Sequence, residues 1–110
     1  MSKDIETVEL SIEFAKEQIA LGEKALSLAE NKLFIEVVLD GYMKDEAARL
    51  TGLLGDPEMK DHQDEIIKDL HGIASFQRYM RKLVRVGEMM KSELLNNVEA
   101  LEEMRREDNS

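Results

Sequence analysis

Cysteine and tryptophan are absent from this 110-residue chain, proline occurs once, and aromatic residues make up 5% of it. Without cysteine there is no disulfide, no thiolate nucleophile and no cysteine-based zinc framework, a pattern that fits a reducing, cytoplasmic compartment. The shortage of aromatics argues against a sheet, whose strands favour aromatic and β-branched side chains. Apolar content comes instead from Leu, Ile, Val, Ala and seven Met, a set suited to helix interfaces. No apolar run is long enough to span a bilayer, and the N-terminus lacks the basic, apolar and small-residue series of an export signal. The expectation is a protein with no membrane contact.

The parts of an enzyme are missing as well. The few serines lie in helical contexts without a Gly-x-Ser-x-Gly turn, and the six glycines are scattered singly rather than forming a phosphate-cradling loop. The Glu-x-x-His pairs that build di-iron sites in helical bundles do not occur. His62, with Asp61, Asp64 and Glu65, is the one cluster resembling a metal site, but acids at a helix start ordinarily complement the helix dipole. His71, embedded in DLHGIA, reads as a packed or interface histidine rather than a base. The sequence therefore predicts a non-enzymatic protein with no cofactor or metal.

What is present is charge and helical period. The net charge is −9, yet the segment from Gly72 to Gly87 holds Arg78, Arg81, Lys82 and Arg85 with no acid. These four fall at 0, +3, +4 and +7, so they share one helix face. Such a belt suits docking on an acidic protein partner or on phosphates. The plainer alternative is that it neutralises the chain's own acidic helices, within the molecule or across a dimer.

A 3-4 spacing runs through Ile5, Val8, Ile12, Ala15, Ile19, Gly22, Leu26, Ala29 and Leu33, predicting a helix over about 4–31. A second, about 34–54, presents Leu39, Tyr42, Met43, Ala47, Leu50, Leu53 and Leu54 on one face; Gly41 marks a kink or short loop in it. The spacing leaves open whether these two stretches are one helix or two. In LTGLLGDPEMKDH, Gly55 reads as a helix stop, Asp56 as an N-cap and Pro57 as the first helical residue, giving a turn over 55–61 with a possible second start at Asp61. Ser2 or Asp4 is positioned to cap the first helix.

The third stripe is Ile66, Ile73, Phe76, Met80, Leu83, Gly87, Met90, Leu94, Asn97, Leu101 and Met104, on a helix of about 62–106 followed by a polar tail, 107–110. Helices of this length imply a hairpin or coiled coil. Laid antiparallel with a constant index sum of 109, the first and third stripes pair Ile5 with Met104, Val8 with Leu101, Ile12 with Asn97, Ala15 with Leu94, Ile19 with Met90, Gly22 with Gly87, and Leu26 with Leu83. A sum of 116 works nearly as well, and the length of the turn decides between them. The fold expected is all-α: a single domain forming a long antiparallel helical hairpin, coiled-coil-like, with two or three helices and a bend near Gly41 and Gly72. A close crossing at Gly22 and Gly87 follows from the first register.

The stretches GYMKDEAARLTGLLGDPEM and IIKDLHGIASFQRYMRKLV resemble small, mostly uncharacterised helical proteins encoded by tailed bacteriophages. The resemblance rests on Gly41-Tyr42, Asp45-Glu46-Ala47, Arg49-Leu50, Leu53-Leu54, Asp56-Pro57, Met59, Ile67, Asp69, Ile73, Phe76, Tyr79 and Arg81, and covers roughly residues 33–90. It implies a phage setting, with particle assembly or a virion component as the expected role. Ile5, Val8, Ile12, Ile19, Leu26, Met90, Leu94 and Leu101 are then candidates for self-association into a homo-oligomer. Tyr42, Tyr79 and the basic belt are candidates for docking a phage structural protein or a host protein. The rival roles are a nucleic-acid-associated packaging or regulatory protein and an acidic inhibitor of a host nucleic-acid enzyme; 15 Lys and Arg among 24 acids weaken the second.

Overall fold

A computed structural model describes residues 2–109, and among these there is no strand. In chain order they form α1 (Ser2–Glu30), a one-turn α2 (Lys32–Phe34), a π-helical segment (Ile35–Glu46), α3 (Ala47–Leu54), a 3-10 segment (Pro57–His62) and α4 (Gln63–Asp108). The all-α helical hairpin is thus the observed architecture. The expected cap at Ser2 rests on a side chain outside the described set, and Asp4 sits in the first turn of α1 rather than before it. Two compact units divide the chain, one comprising residues 1–25 and 82–110, the other 26–81.

In the first unit, α1 and the C-terminal part of α4 run antiparallel. A Cβ added at Gly22 would lie 2.8 Å from the Leu83 carbonyl oxygen and 3.1 Å from the Gly87 Cα, and one added at Gly87 would lie 3.2 Å from the Gly22 Cα. The backbones therefore touch where the sum of 109 places them, and the register of 116 is excluded. Around this crossing Ile12, Ala15, Ala25 and Leu101 are buried. Farther along, Arg105 donates to the Glu9 carboxylate at 2.9 Å. Leu26, expected in the stripe, is 43% exposed, while Ala25 is buried in its place. Past Gly22 the inward face thus continues through Ala25, three residues on, rather than Leu26, four residues on, and small residues line the close approach.

The second unit takes in the last residues of α1, from Leu26 onward. Asn31 leaves the helical region, and its side chain accepts the Phe34 N–H at 3.1 Å, so the stretch that sequence left as one helix or two is broken by a single capping residue. The short loop offered as one alternative at Gly41 is not observed. Gly41 instead lies within the π-helical segment, where its Cβ position is 3.1 Å from the Glu36 carbonyl oxygen five residues back. Ile35, Val37 and Val38, with Gly41, weaken the ordinary α-helix here, which favours the wider turn. Gly72, the other expected bend, is internal to the uninterrupted α4.

Leu50, Ile66 and Ile73 form the buried centre of this unit, with Met43, Ala47, Leu53, Leu54, Met59 and Leu70 packed against it. The corner works as a stop, a cap and a restart. Gly55 ends α3 with a right-handed φ of −92°, and the Asp56 carboxylate accepts the Glu58 N–H at 3.0 Å. Pro57 then opens the 3-10 segment. That segment fills the stretch expected to be a turn, so the second start at Asp61 is not used and α4 begins at Gln63. It also delivers Met59 to the core.

Alanine at two helical glycines should shift stability in opposite directions. Gly52→Ala, where an added Cβ meets nothing within 4 Å, should stabilise by roughly 0.5–1 kcal/mol through helix propensity. Gly22→Ala gains the same propensity but forces two backbones apart, so a net loss of about 1–2 kcal/mol is expected; leucine at both Gly22 and Gly87 should abolish the crossing. Asp56→Ala should cost about 1 kcal/mol through removal of the cap. Urea titrations followed by circular dichroism measure all of these.

Candidate interaction surfaces

Arg78, Arg81, Lys82 and Arg85 all lie on α4 and all are exposed. Arg78 and Arg81 belong to the second unit, Lys82 and Arg85 to the first. Their spacing puts them on the side of α4 opposite Met80, Leu83 and Gly87, because inward and outward positions alternate with the 3.6-residue period. Ion pairs among the described residues include Glu46–Arg49, His62–Glu65, Glu88–Lys91 and Glu9–Arg105, and none of these engages the belt. Direct ion pairs between the belt and the chain's own acids are thus not among these contacts. The side of α4 that approaches α1 in the first unit is the one carrying Leu83 and Gly87, which leaves Lys82 and Arg85, the belt residues of that unit, facing away.

The two tyrosines have different surroundings. Tyr79 is exposed on α4. Tyr42 stands edge-on to Phe76, with ring centroids 6.5 Å apart, and its hydroxyl is 3.8 Å from the Cβ position of Gly72. It lines an open groove of 540 Å³ in the second unit, together with Val37, Glu46, Lys68, Asp69 and Gly72. At the groove edge, Arg49 forms a bidentate pair with Glu46, its Nε donating to Glu46 Oε2 at 3.1 Å. The hydrogen bond from Arg49 is the main cause holding the Glu46 carboxyl below its ordinary value of 4.5, with the guanidinium charge adding to it. The same pair, reinforced by the charge of Asp69, raises Arg49. Sequence reasoning missed this cluster, although Glu and Arg three residues apart on a helix are a recognisable pairing.

The residues expected to mediate self-association are reassigned by burial. Ile12 and Leu101 are buried within the single chain. Ile5, Val8, Ile19, Met90 and Leu94 are half-buried in the same unit, and Leu26 is outside the stripe. A second copy cannot use side chains already covered by the hairpin. The large apolar side chains left exposed on α1 within that unit are Leu10, Phe14 and Leu21, which the inward-facing heptad reading did not pick out.

At the corner, His62 Nδ1 lies 3.7 Å from the Glu65 carboxylate. Among the described residues, no group of three or more His, Asp or Glu is arranged to hold a metal ion. No helix among them is long and apolar enough to cross a membrane. Compared with known proteins, the chain matches no family model, no curated protein and no solved structure.

Removing Arg49 should return the Glu46 carboxyl to its ordinary value. A carboxylate whose pKa is lowered on folding adds stability that is present above its unfolded value and fades as pH falls through the folded one. Loss of the Glu46–Arg49 contribution is therefore expected just below pH 4.5, and it should be small for so exposed a pair. A carbon-detected NMR titration of Glu46 in the wild type and in Arg49→Ala should show an upward shift in the variant.

Proposed function

We propose that the chain is a non-enzymatic helical interaction protein that acts by binding protein, in the setting of a tailed bacteriophage, as a particle-assembly or virion component. The observation that carries this reading is the belt: four exposed cations with no ion-pair partner among the described residues, on one helix of a chain with net charge −9. Unpaired cations clustered on one helix face are held close together against their mutual repulsion, and an acidic surface relieves that repulsion on binding. The groove beside Tyr42 supports the same role, since Gly41, Tyr42, Glu46, Leu50, Asp69 and Ile73, six of its nine lining residues, are among those on which the phage-like resemblance rests. In this reading the helices carry the surfaces and the chemistry is recognition alone.

A nucleic-acid partner is the second reading, favoured by three of the four belt residues being Arg, the side chain best matched to phosphate geometry. Its signature is an affinity for DNA that weakens as salt rises, with a logarithmic slope of about −0.9 for each phosphate the protein neutralises.

Affinity purification from infected cells followed by mass spectrometry tests the main reading. Portal or capsid proteins should be recovered with the wild type and be missing with Arg81→Glu/Arg85→Glu, at unchanged helicity. Recovery of a host polymerase or nuclease instead would point to inhibition. DNA binding that the double variant abolishes would favour the packaging role.

A further inference from the structure

Helix α1 carries two apolar stripes, and the first unit uses one of them. Ile12, Ala15 and Gly22 are buried, whereas Leu10, Phe14 and Leu21 stand on the other side of the helix, 71%, 54% and 38% exposed. Their spacing of four and then seven residues returns them to one face, since seven residues make almost two turns. Open grooves flank this ridge on both sides, one of 640 Å³ reaching Leu101 and Arg105 and one of 430 Å³ reaching Met90 and Asn97. Scattered exposed leucines need no explanation, but a row of them on an acidic helix marks a contact surface.

Charges within the row select the occupant. Glu17 lies between Phe14 and Leu21, and Lys24 follows one heptad later, both exposed on the same face. A second copy of α1 packed in parallel would stack Glu17 on Glu17 and Lys24 on Lys24, placing like charges in two layers of the contact. An antiparallel copy with an index sum of 31 brings Leu10 against Leu21 twice by symmetry and carries Lys24 to the acidic start of the other helix, beside Glu6. In the same register Glu13 meets Gln18, whose amide can donate to it. The pattern is self-complementary, as a two-fold contact requires. The geometry points to a dimer in which the outer faces of α1 from two copies of this chain pack antiparallel. This rests on the reading of the chain as a self-associating protein, and replaces the inward heptad stripe with Leu10, Phe14 and Leu21 as its means.

Sedimentation velocity over a concentration series tests it, with circular dichroism as the check on folding. The wild type should sediment as a dimer and Leu10→Glu/Leu21→Glu as a monomer with unchanged helicity, because both residues are exposed in the single chain. Lys24→Glu and Glu6→Lys should each weaken the dimer about tenfold, the pair occurring twice by symmetry, and combining them should restore it. A dimer that survives Leu10→Glu/Leu21→Glu overturns this interface while leaving self-association intact. A wild type that is monomeric at every concentration overturns both. A Lys24→Glu dimer as tight as the wild type overturns the antiparallel pairing.

Discussion

The backbone contact between Gly22 and Gly87 is the constraint on which the first unit depends. With no side chain at either position, the two helices approach until Cα, amide and carbonyl atoms meet. Small residues continue the same face, since Ala15 and Ala25 are the most deeply buried apolar side chains in the unit. A seam of this kind buries little apolar area per residue, so its stability draws on dispersion between closely packed backbones more than on large side chains. It also fixes the register, because sliding by a heptad would bring Gly22 against Leu94, whose side chain cannot fit in the space that Gly87 leaves. Everything outward of the seam follows from that choice, including the Glu9–Arg105 pair and the exposure of Leu10, Phe14 and Leu21.

The second unit is held differently. Its centre is a small cluster of branched side chains, Leu50, Ile66 and Ile73, brought together by a tight corner rather than by a long seam. The corner contributes directly, since the 3-10 segment between Asp56 and Gln63 puts Met59 on that cluster. The π-helical segment widens the path from Phe34 to Ala47 and places Gly41 and Tyr42 on the wall of the groove. π-Helical turns occur often at functional positions, and here the segment adjoins the Glu46–Arg49–Asp69 charge cluster.

The helical class, the hairpin and the punctuation of the corner were legible because each follows from local chemistry. Period 3-4 spacing gave the helices, and aligning the stripes offered Gly22 with Gly87 as one of two registers, between which only the coordinates decide. Three features were not legible. The swap of Leu26 for Ala25 follows the small residues of the seam, Ala15, Gly22 and Ala25, which a count of large apolar side chains passes over. The π-helical segment leaves a weak trace, since Gly41 among β-branched neighbours equally suits a kink. The Leu10, Phe14 and Leu21 row was hidden because a strong apolar stripe on a helix masks a second, shorter one. The belt was legible as charge, but whether it is paired within the chain depended on which side of α4 faces α1, and that required coordinates.

The account's central claim is that the heptad stripe is consumed within each chain, leaving the outer face of α1 and the belt on α4 exposed. Isotope-filtered NOE spectroscopy on a one-to-one mixture of labelled and unlabelled protein addresses it directly, because it separates contacts within a chain from contacts between chains. The account predicts that NOEs between Gly22 and Gly87 appear only in the intrachain spectrum. Their appearance in the interchain spectrum would mean that the stripe pairs across two molecules, and would contradict it.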